Sequence, residues 1–321
     1  MAMAEHGAHD GARRGERALA AGEFEDRAIG RRREDRIVGA SAATQRVTDQ
    51  AAAAARSALP VLVTGPSGAG KRFVARAVHA WSERAGRPFV EFSCETTPPA
   101  SQAAELFGDR HNGVSTGGAV GRAGDGTLLV REAERLDASL RGRLAELWTA
   151  RDGAGPRPRI VLASSDAGSV ALLGAAPHHH IVLAPLAERR EDVLPLAAHF
   201  LAATAEEIGA KVVGFTAEAR ALLQSEPWLG NVRELRARVR QAVRLAGDGA
   251  VGAESLLLAG DDGEIPSFKD AKRAFETRYV MSLLRRCGGN ISRAARLAKK
   301  DRKDFYDVIR RTGVDPTSFR A

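Results

Sequence analysis

Cysteine is scarce in this 321-residue sequence: there are two, Cys94 and Cys287, far apart. Neither sits in a metal-ligand spacing, so both read as buried free thiols. No apolar run is long enough to span a bilayer, which excludes a transmembrane helix, and no membrane partner is expected. The opening stretch MAMAEHGAHDGARRGERALAAGEFEDRAIGRRRED has no apolar core of the kind a secretory signal needs, so a cytoplasmic protein is expected. No internal repeats are seen.

The remaining composition is that of a globular protein, 44% hydrophobic and 27% charged, long enough for two or three domains. The net charge is +8, and it is concentrated. Ser267–Ala321 carries five lysines and ten arginines against six carboxylates, a net of +9, so the rest of the chain is near neutral. A compact basic end on a neutral body points to nucleic acid, unless it is only a solvated surface.

Residues 1–35 read as a disordered or loosely helical arm. From Ile37 to about Ala163, short apolar runs alternate with helical patterns. Strand-like runs are LPVLVTG (59–65), PFVEFSC (88–94), GTLLV and RIVLASS. RFVARAVHAWSE has helical spacing, with Phe73, Val74, Ala77, Val78 and Trp81 on one side. Alternation of this kind predicts an α/β fold, a parallel sheet with helices on both faces. Residues 191–258 are helical in pattern, and AGDDGEIPS (259–267) is a polar Gly/Pro linker.

TGPSGAGKR places Gly65-x-x-x-x-Gly70-Lys71 directly after a strand and at the start of a helix. Glycines let the loop turn its N–H groups toward phosphate oxygens, the helix N-terminus adds a favourable dipole, and Lys71 reaches the terminal phosphates. Gly65, Pro66, Ser67, Gly68, Ala69, Gly70, Lys71 and Arg72 are the candidate nucleotide-binding residues. The alternative is a glycine-rich turn with an incidental lysine. Arg72 stands where many such loops have a Mg²⁺-binding Ser or Thr.

In order, IVGAS, GPSGAGK, PFVEFSC, ELFG, GTLLVREAERLD, APLAERREDVLPLAAHFL, WLGNVRELR and GGNISRAARLAKKDRKDFYDVIRRTGVDP resemble a bacterial enhancer-binding protein of the NtrC class. These are AAA+ ATPases that remodel sigma-54 RNA polymerase. The resemblance implies an α/β nucleotide-binding subdomain at 36–188, a helical lid at 189–258 and a three-helix Fis-type helix-turn-helix at 268–321. It implies ATP or ADP as ligand, promoter or enhancer DNA and sigma-54 RNA polymerase as partners, and self-association at least to a dimer. Glu132 matches the acid that activates the attacking water, and Arg233 the arginine that reaches the nucleotide from the lid.

The sequence departs from that family at four points. The family ends its second nucleotide strand in Asp-Glu, the Asp holding Mg²⁺; here the pair is Arg131-Glu132. Unit charges ~4 Å apart interact by about 4 kcal/mol at an effective dielectric near 20, so a guanidinium there opposes Mg²⁺. The sigma-contacting loop is GVSTGG, keeping Gly113, Thr116 and Gly117 but with Ser115 in place of the aromatic. Ser165 stands where the first sensor asparagine is usual. The interval 166–184, where the family carries its inter-subunit arginine, contains none. Together these imply a domain that binds ATP or ADP and turns it over slowly or not at all, with Arg72 and Arg131 supplying charge in place of Mg²⁺. An active ATPase, with Glu134 helping, and a nucleotide-gated scaffold are the alternatives. His178, His179 and His180 have no neighbouring ligands in metal spacing, so no metal site is expected there.

At the basic end, residues 268–287 predict a long helix with Phe268, Ala271, Phe275, Tyr279, Leu283 and Leu284 on one face, ended by Gly288 and Gly289. Two short helices follow, with Asn290 and Asp301 as N-caps, Ala294 and Ala295 at the crossing, and Phe305, Val308 and Ile309 inward. Arg293, Lys299, Lys300, Arg302, Lys303, Tyr306, Arg310 and Arg311 are the candidate DNA contacts. Lys299 stands in the turn where the family usually has Gly. A three-helix module that touches only protein is the alternative.

Overall fold

A computed structural model describes residues 36–108, 110–111, 114–115, 117–149, 157–165, 173, 176–259 and 268–319. The arm at 1–35 and nearly all of the 259–267 linker lie outside them. The chain divides into two compact units, Met1–His199 with Leu223–Leu235, and Phe200–Leu222 with Arg236–Ala321.

The first unit runs α1 (Ala42–Ala55), β1 (Val61–Thr64), α2 (Lys71–Ala80), β2 (Phe89–Ser93), α3 (Pro99–Phe107), β3 (Arg110–His111), β4 (Val114–Ser115), α4 (Gly118–Ala123), β5 (Thr127–Arg131), α5 (Ala138–Thr149), β6 (Arg159–Ser164) and β7 (His179–Val182). Five strands form a parallel sheet in the order β2-β5-β6-β1-β7. The central strands are buried on both faces, which is why they read as unbroken apolar runs. Alternate residues serve opposite layers. Leu62, Leu128, Val130, Ile160 and Leu162 pack with Phe92, Leu106 and Leu144. Val61, Val63, Leu129, Val161 and Ala163 pack with Ala51, Ala54, Val74 and Val78.

Four of these strands were predicted; β7 was not. It is an edge strand in which Ile181 is buried but Val182 is 56% exposed, so two histidines and two apolar residues carry little strand signal. On α2, Val74, Ala77 and Val78 are buried as expected, but Phe73 is 37% exposed. It sits about 100° around the helix from Val74, off the buried stripe.

The second unit holds most of α6 (Val193–Ile208), β8 (Val212–Phe215), most of α7 (Ala217–Ser225), most of α8 (Asn231–Ala246), β9 (Gly249–Val251) and α9 (Ala253–Leu258). The parallel β8–β9 pair was not anticipated in a helical segment, being too short to show a period. Next come α10 (Phe268–Arg286), α11 (Ile291–Leu297) and α12 (Arg302–Thr312). These three enclose Val280, Leu283, Leu284, Cys287, Ala294, Ala295, Phe305 and Ile309. Asn290 Oδ1 accepts from the Arg293 N–H at 3.0 Å and Asp301 Oδ1 from the Lys303 N–H at 2.7 Å, so both predicted caps form. Tyr279 is a correction: it is exposed, and Val280 takes the core position. The stripe is 280/283/284/287, one residue out of phase with Tyr279. Both cysteines are buried and free. Among the described residues no helix is long and apolar enough to cross a membrane.

Candidate functional site

The loop 65–70 leaves the C-terminal end of β1, where the sheet's strand order reverses, a position at which open parallel sheets bind ligands. Gly65, Gly68 and Gly70 have φ of 148°, 75° and 110°, conformations that side-chain-bearing residues resist. A Cβ on Gly68 would also strike the Gly230 carbonyl. The loop is thus seated against the turn that precedes α8. Asn231, 4% exposed, holds that seat: its Nδ2 donates to the Ser67 carbonyl at 2.9 Å and its Oδ1 accepts from the Leu186 N–H at 2.8 Å. The Arg233 N–H donates to the Gly68 carbonyl at 3.2 Å, which brings this predicted arginine to the loop.

Lys71 opens α2 and folds over the loop. Its Nζ donates to the carbonyls of Gly65 at 2.6 Å and Pro66 at 3.0 Å, and to Ser165 Oγ at 3.3 Å. Burial pushes its pKa down; Glu134 and then Glu132 oppose that, while Arg131 and Arg233 reinforce it. Arg72 points elsewhere. Its Nε donates to both Glu91 carboxylate oxygens, at 2.7 and 2.8 Å, so the structure ties it to β2 and not to the loop it was expected to serve.

Strand β5 ends at Arg131, and Glu132 follows with a left-handed φ of 50°, an outlier of the kind found where a side chain must be aimed. Both Glu132 oxygens are engaged: Oε2 accepts from Ser93 Oγ at 2.8 Å, and Oε1 from Arg131 Nη2 at 3.3 Å. A 3-10 turn over Ala133–Arg135 then carries Glu134 beside the end of β6. Its Oε1 accepts from the Ser165 N–H at 3.4 Å, while its Oε2 is buried with no partner. The neighbouring Cys94 thiol is pushed up to about 12, by burial first and then by Glu132 and Glu134, and so stays protonated.

Sequence reasoning overlooked a second support of the loop. Asp192, fully buried, accepts from the N–H groups of Ala40 and Ser41 at 2.7 Å, from Ser41 Oγ at 2.8 Å and from Thr44 Oγ1 at 2.6 Å. Arg189 lies 3.7 Å from the same carboxylate and donates from Nη2 to the Ala69 carbonyl at 2.9 Å. Asn231 was overlooked as well. Its signal was there, since asparagine is the side-chain-bearing residue that best tolerates a left-handed turn.

Of the expected sigma-contact loop, Ser115 lies on β4, which pairs antiparallel with β3, and Gly117 precedes α4. Gly113 and Thr116 lie outside the described residues. His180 Nε2 sits 2.9 Å from Thr64 Oγ1, and among the described residues no group of three or more His, Cys, Asp or Glu could hold a metal ion. At the basic end, Arg293, Lys299, Lys300, Arg302, Lys303, Tyr306 and Arg310 are exposed. Arg311 is exposed too but donates to Glu276 at 2.8 Å. Lys299 has φ of 51°, filling a left-handed turn position without being glycine.

Residues 37–152 match the family model described as the sigma-54 interaction domain, and residues 187–264 match the AAA+ ATPase lid domain. The chain is 30% identical over 315 residues to the transcriptional regulatory protein GlrR of Escherichia coli K12, covering 88% of this chain and 69% of that one. Among solved structures, NtrX from Brucella abortus in complex with ADP superposes with a TM-score of 0.61 at 26% identity, covering 94% of this chain and 75% of that one. The same protein in complex with ATP gives 0.57 at 25% identity, covering 95% and 73%.

Proposed function

This chain belongs to the NtrC-type family of sigma-54-dependent transcriptional regulators with an AAA+ domain, and from that premise we propose a DNA-binding regulator that binds ATP or ADP but hydrolyses ATP slowly or not at all. One observation carries the reading. The carboxylate that should orient the attacking water, Glu132, is held on one oxygen by Ser93 and on the other by Arg131, the residue that displaces the expected acid. A general base needs a lone pair aimed at its proton, and each Glu132 oxygen already gives one to a neighbouring donor. The absence of arginine from 166–184 removes a second contribution, one worth orders of magnitude in rate where present.

Nucleotide binding itself is supported by Lys71, the three left-handed glycines and Arg233 beside Gly68. It is supported as well by ADP and ATP in the Brucella abortus NtrX structures. DNA binding is supported by two capped helices presenting Arg302, Lys303 and Tyr306 at the start of α12. Neutralising several phosphates there would make affinity fall steeply with salt. Ser115 offers no aromatic surface for sigma-54, so DNA occupancy is the principal output in this reading, by a self-associated protein. The alternative, an active remodelling ATPase, draws support from Glu134 lying near Lys71.

Phosphate release from Mg²⁺-ATP, measured at several protein concentrations beside a Lys71→Ala control and a nucleotide titration, separates the two. Binding without turnover is expected. Turnover that rises with concentration and vanishes in the control establishes the active ATPase instead.

A further inference from the structure

The fold family implies Mg²⁺ beside the phosphates, and the residue at the end of β5 does not fit it: Arg131 has no lone pair to give. Glu132 accepts from Ser93 on one oxygen and from the Arg131 guanidinium on the other, and that cation 3.3 Å away opposes a second positive charge there. The hydroxyl that often follows the loop lysine is replaced by Arg72, which is bound to Glu91. Three residues past Arg131, however, the 3-10 turn returns a carboxylate to the site.

We propose that Glu134 is the protein ligand for the divalent cation that accompanies a bound nucleoside di- or triphosphate, replacing the strand-end acid from the following turn. The proposal rests on the nucleotide-binding reading above.

Position is the first argument. Ser165 touches both partners: its Oγ accepts from Lys71 Nζ at 3.3 Å, and its N–H donates to Glu134 Oε1 at 3.4 Å. Glu134 therefore lies one residue from the amine that reaches the phosphates. Among the carboxylates acting on Lys71 it is the strongest, ahead of Glu132. The second argument is the other oxygen. Glu134 Oε2 is buried and has no hydrogen-bond partner, a costly arrangement for a polar atom. A cation is the ordinary remedy. The third is coordination chemistry. Mg²⁺ keeps several waters and is held by one or two carboxylates together with the phosphates, so no three-ligand cage is required. The lack of such a cluster among the described residues therefore does not count against an ion that binds together with the nucleotide.

The test is a titration of the full chain with fluorescent N-methylanthraniloyl-ADP, in Mg²⁺ and in excess EDTA, for the native protein, Glu134→Gln, Glu132→Gln and Lys71→Ala. Mn²⁺ electron paramagnetic resonance of the nucleotide complex gives a readout independent of turnover. Native protein should bind about tenfold or more tightly with Mg²⁺ than without. Glu134→Gln should lose that gain while keeping its affinity in EDTA, which also shows that its loop is intact, and should change the Mn²⁺ spectrum. Glu132→Gln should keep the gain. The proposal is overturned if Glu134→Gln keeps the full Mg²⁺ effect, or if native protein binds equally well in EDTA. If neither native protein nor Lys71→Ala binds nucleotide, the nucleotide-binding reading fails and takes this proposal with it.

Discussion

Asn231 Nδ2 donates to the Ser67 carbonyl at 2.9 Å, so the residue that begins α8 holds the tip of the phosphate loop. The same amide takes the Leu186 N–H at 2.8 Å, in a place that is 4% exposed. Removing a buried partner strands two backbone groups, at about 1–3 kcal/mol each. Asn231→Ala should therefore lower the thermal midpoint and weaken binding of fluorescent ADP several-fold. Its φ of 57° adds strain for alanine that glycine does not feel. Asn231→Gly should accordingly be the more stable of the two yet equally weak for nucleotide, which separates the loss of the amide from backbone strain. Equal midpoints for the two variants would remove the strain argument, and native-like ADP affinity in both would remove the clasp.

The parts of the site that were legible in the sequence are those where one residue type has one physical use. Gly65, Gly68, Gly70 and Lys71 could be placed because only glycine turns so freely and because strand and helix bracket them. The three central strands were legible because burial on both faces leaves no polar alternation to confuse them. Edge strand β7 and the short β8–β9 pair were not, since half-exposed or three-residue strands have no period to detect. Asp192 and Arg189 look like surface charges in the string RREDV; only the fold shows that the carboxylate accepts from Ala40, Ser41 and Thr44. Arg72 is the converse case. Its position in the motif suggested phosphate, but Glu91 on the neighbouring strand β2 captures it, a contact between residues 19 apart.

Two histidines on β7 should make the first unit acid-sensitive. Burial holds the imidazoles of His179 and His180 below their ordinary value of 6.5; Arg159 and His178 add to this for His179, and His178 for His180. As pH falls through about 6.5 the unfolded chain takes up these protons, while the folded chain does so only at lower pH. Between those values the unfolded state binds more protons, so stability rises with pH and falls on acidification. Thermal midpoints should drop between pH 7.5 and 5.5, and the drop should be shallower in His180→Gln. A pH-independent midpoint over that range would show that neither histidine is held neutral.

Lys299 sits in the turn between α11 and α12 at φ of 51°. A residue with a Cβ there costs about 1–2 kcal/mol. Replacing it with glycine should raise the thermal midpoint of the C-terminal three-helix segment and, in the proposed reading, weaken DNA retardation by the full chain. If Lys299 meets a phosphate, the salt slope of log affinity should also fall, by about 0.9. A stabilised variant with an unchanged salt slope would confine Lys299 to the turn.

Arg131 is where the proposed impairment of hydrolysis can be tested directly. Arg131→Asp replaces a cation at the end of β5 with a carboxylate, reversing an interaction with Mg²⁺ of about 4 kcal/mol per pair of unit charges at ~4 Å and a dielectric near 20. It also frees Glu132 Oε1, now 3.3 Å from Arg131 Nη2, while Ser93 still holds Oε2. The variant should bind nucleotide more tightly in Mg²⁺ than the native protein does, with little change in EDTA, and phosphate release should rise. If affinity rises but release does not, the strand end is not what limits turnover. The limit then lies in features a substitution at residue 131 leaves unchanged: the Ser93 hold on Glu132, Ser165 in the sensor position, or the absence of arginine from 166–184.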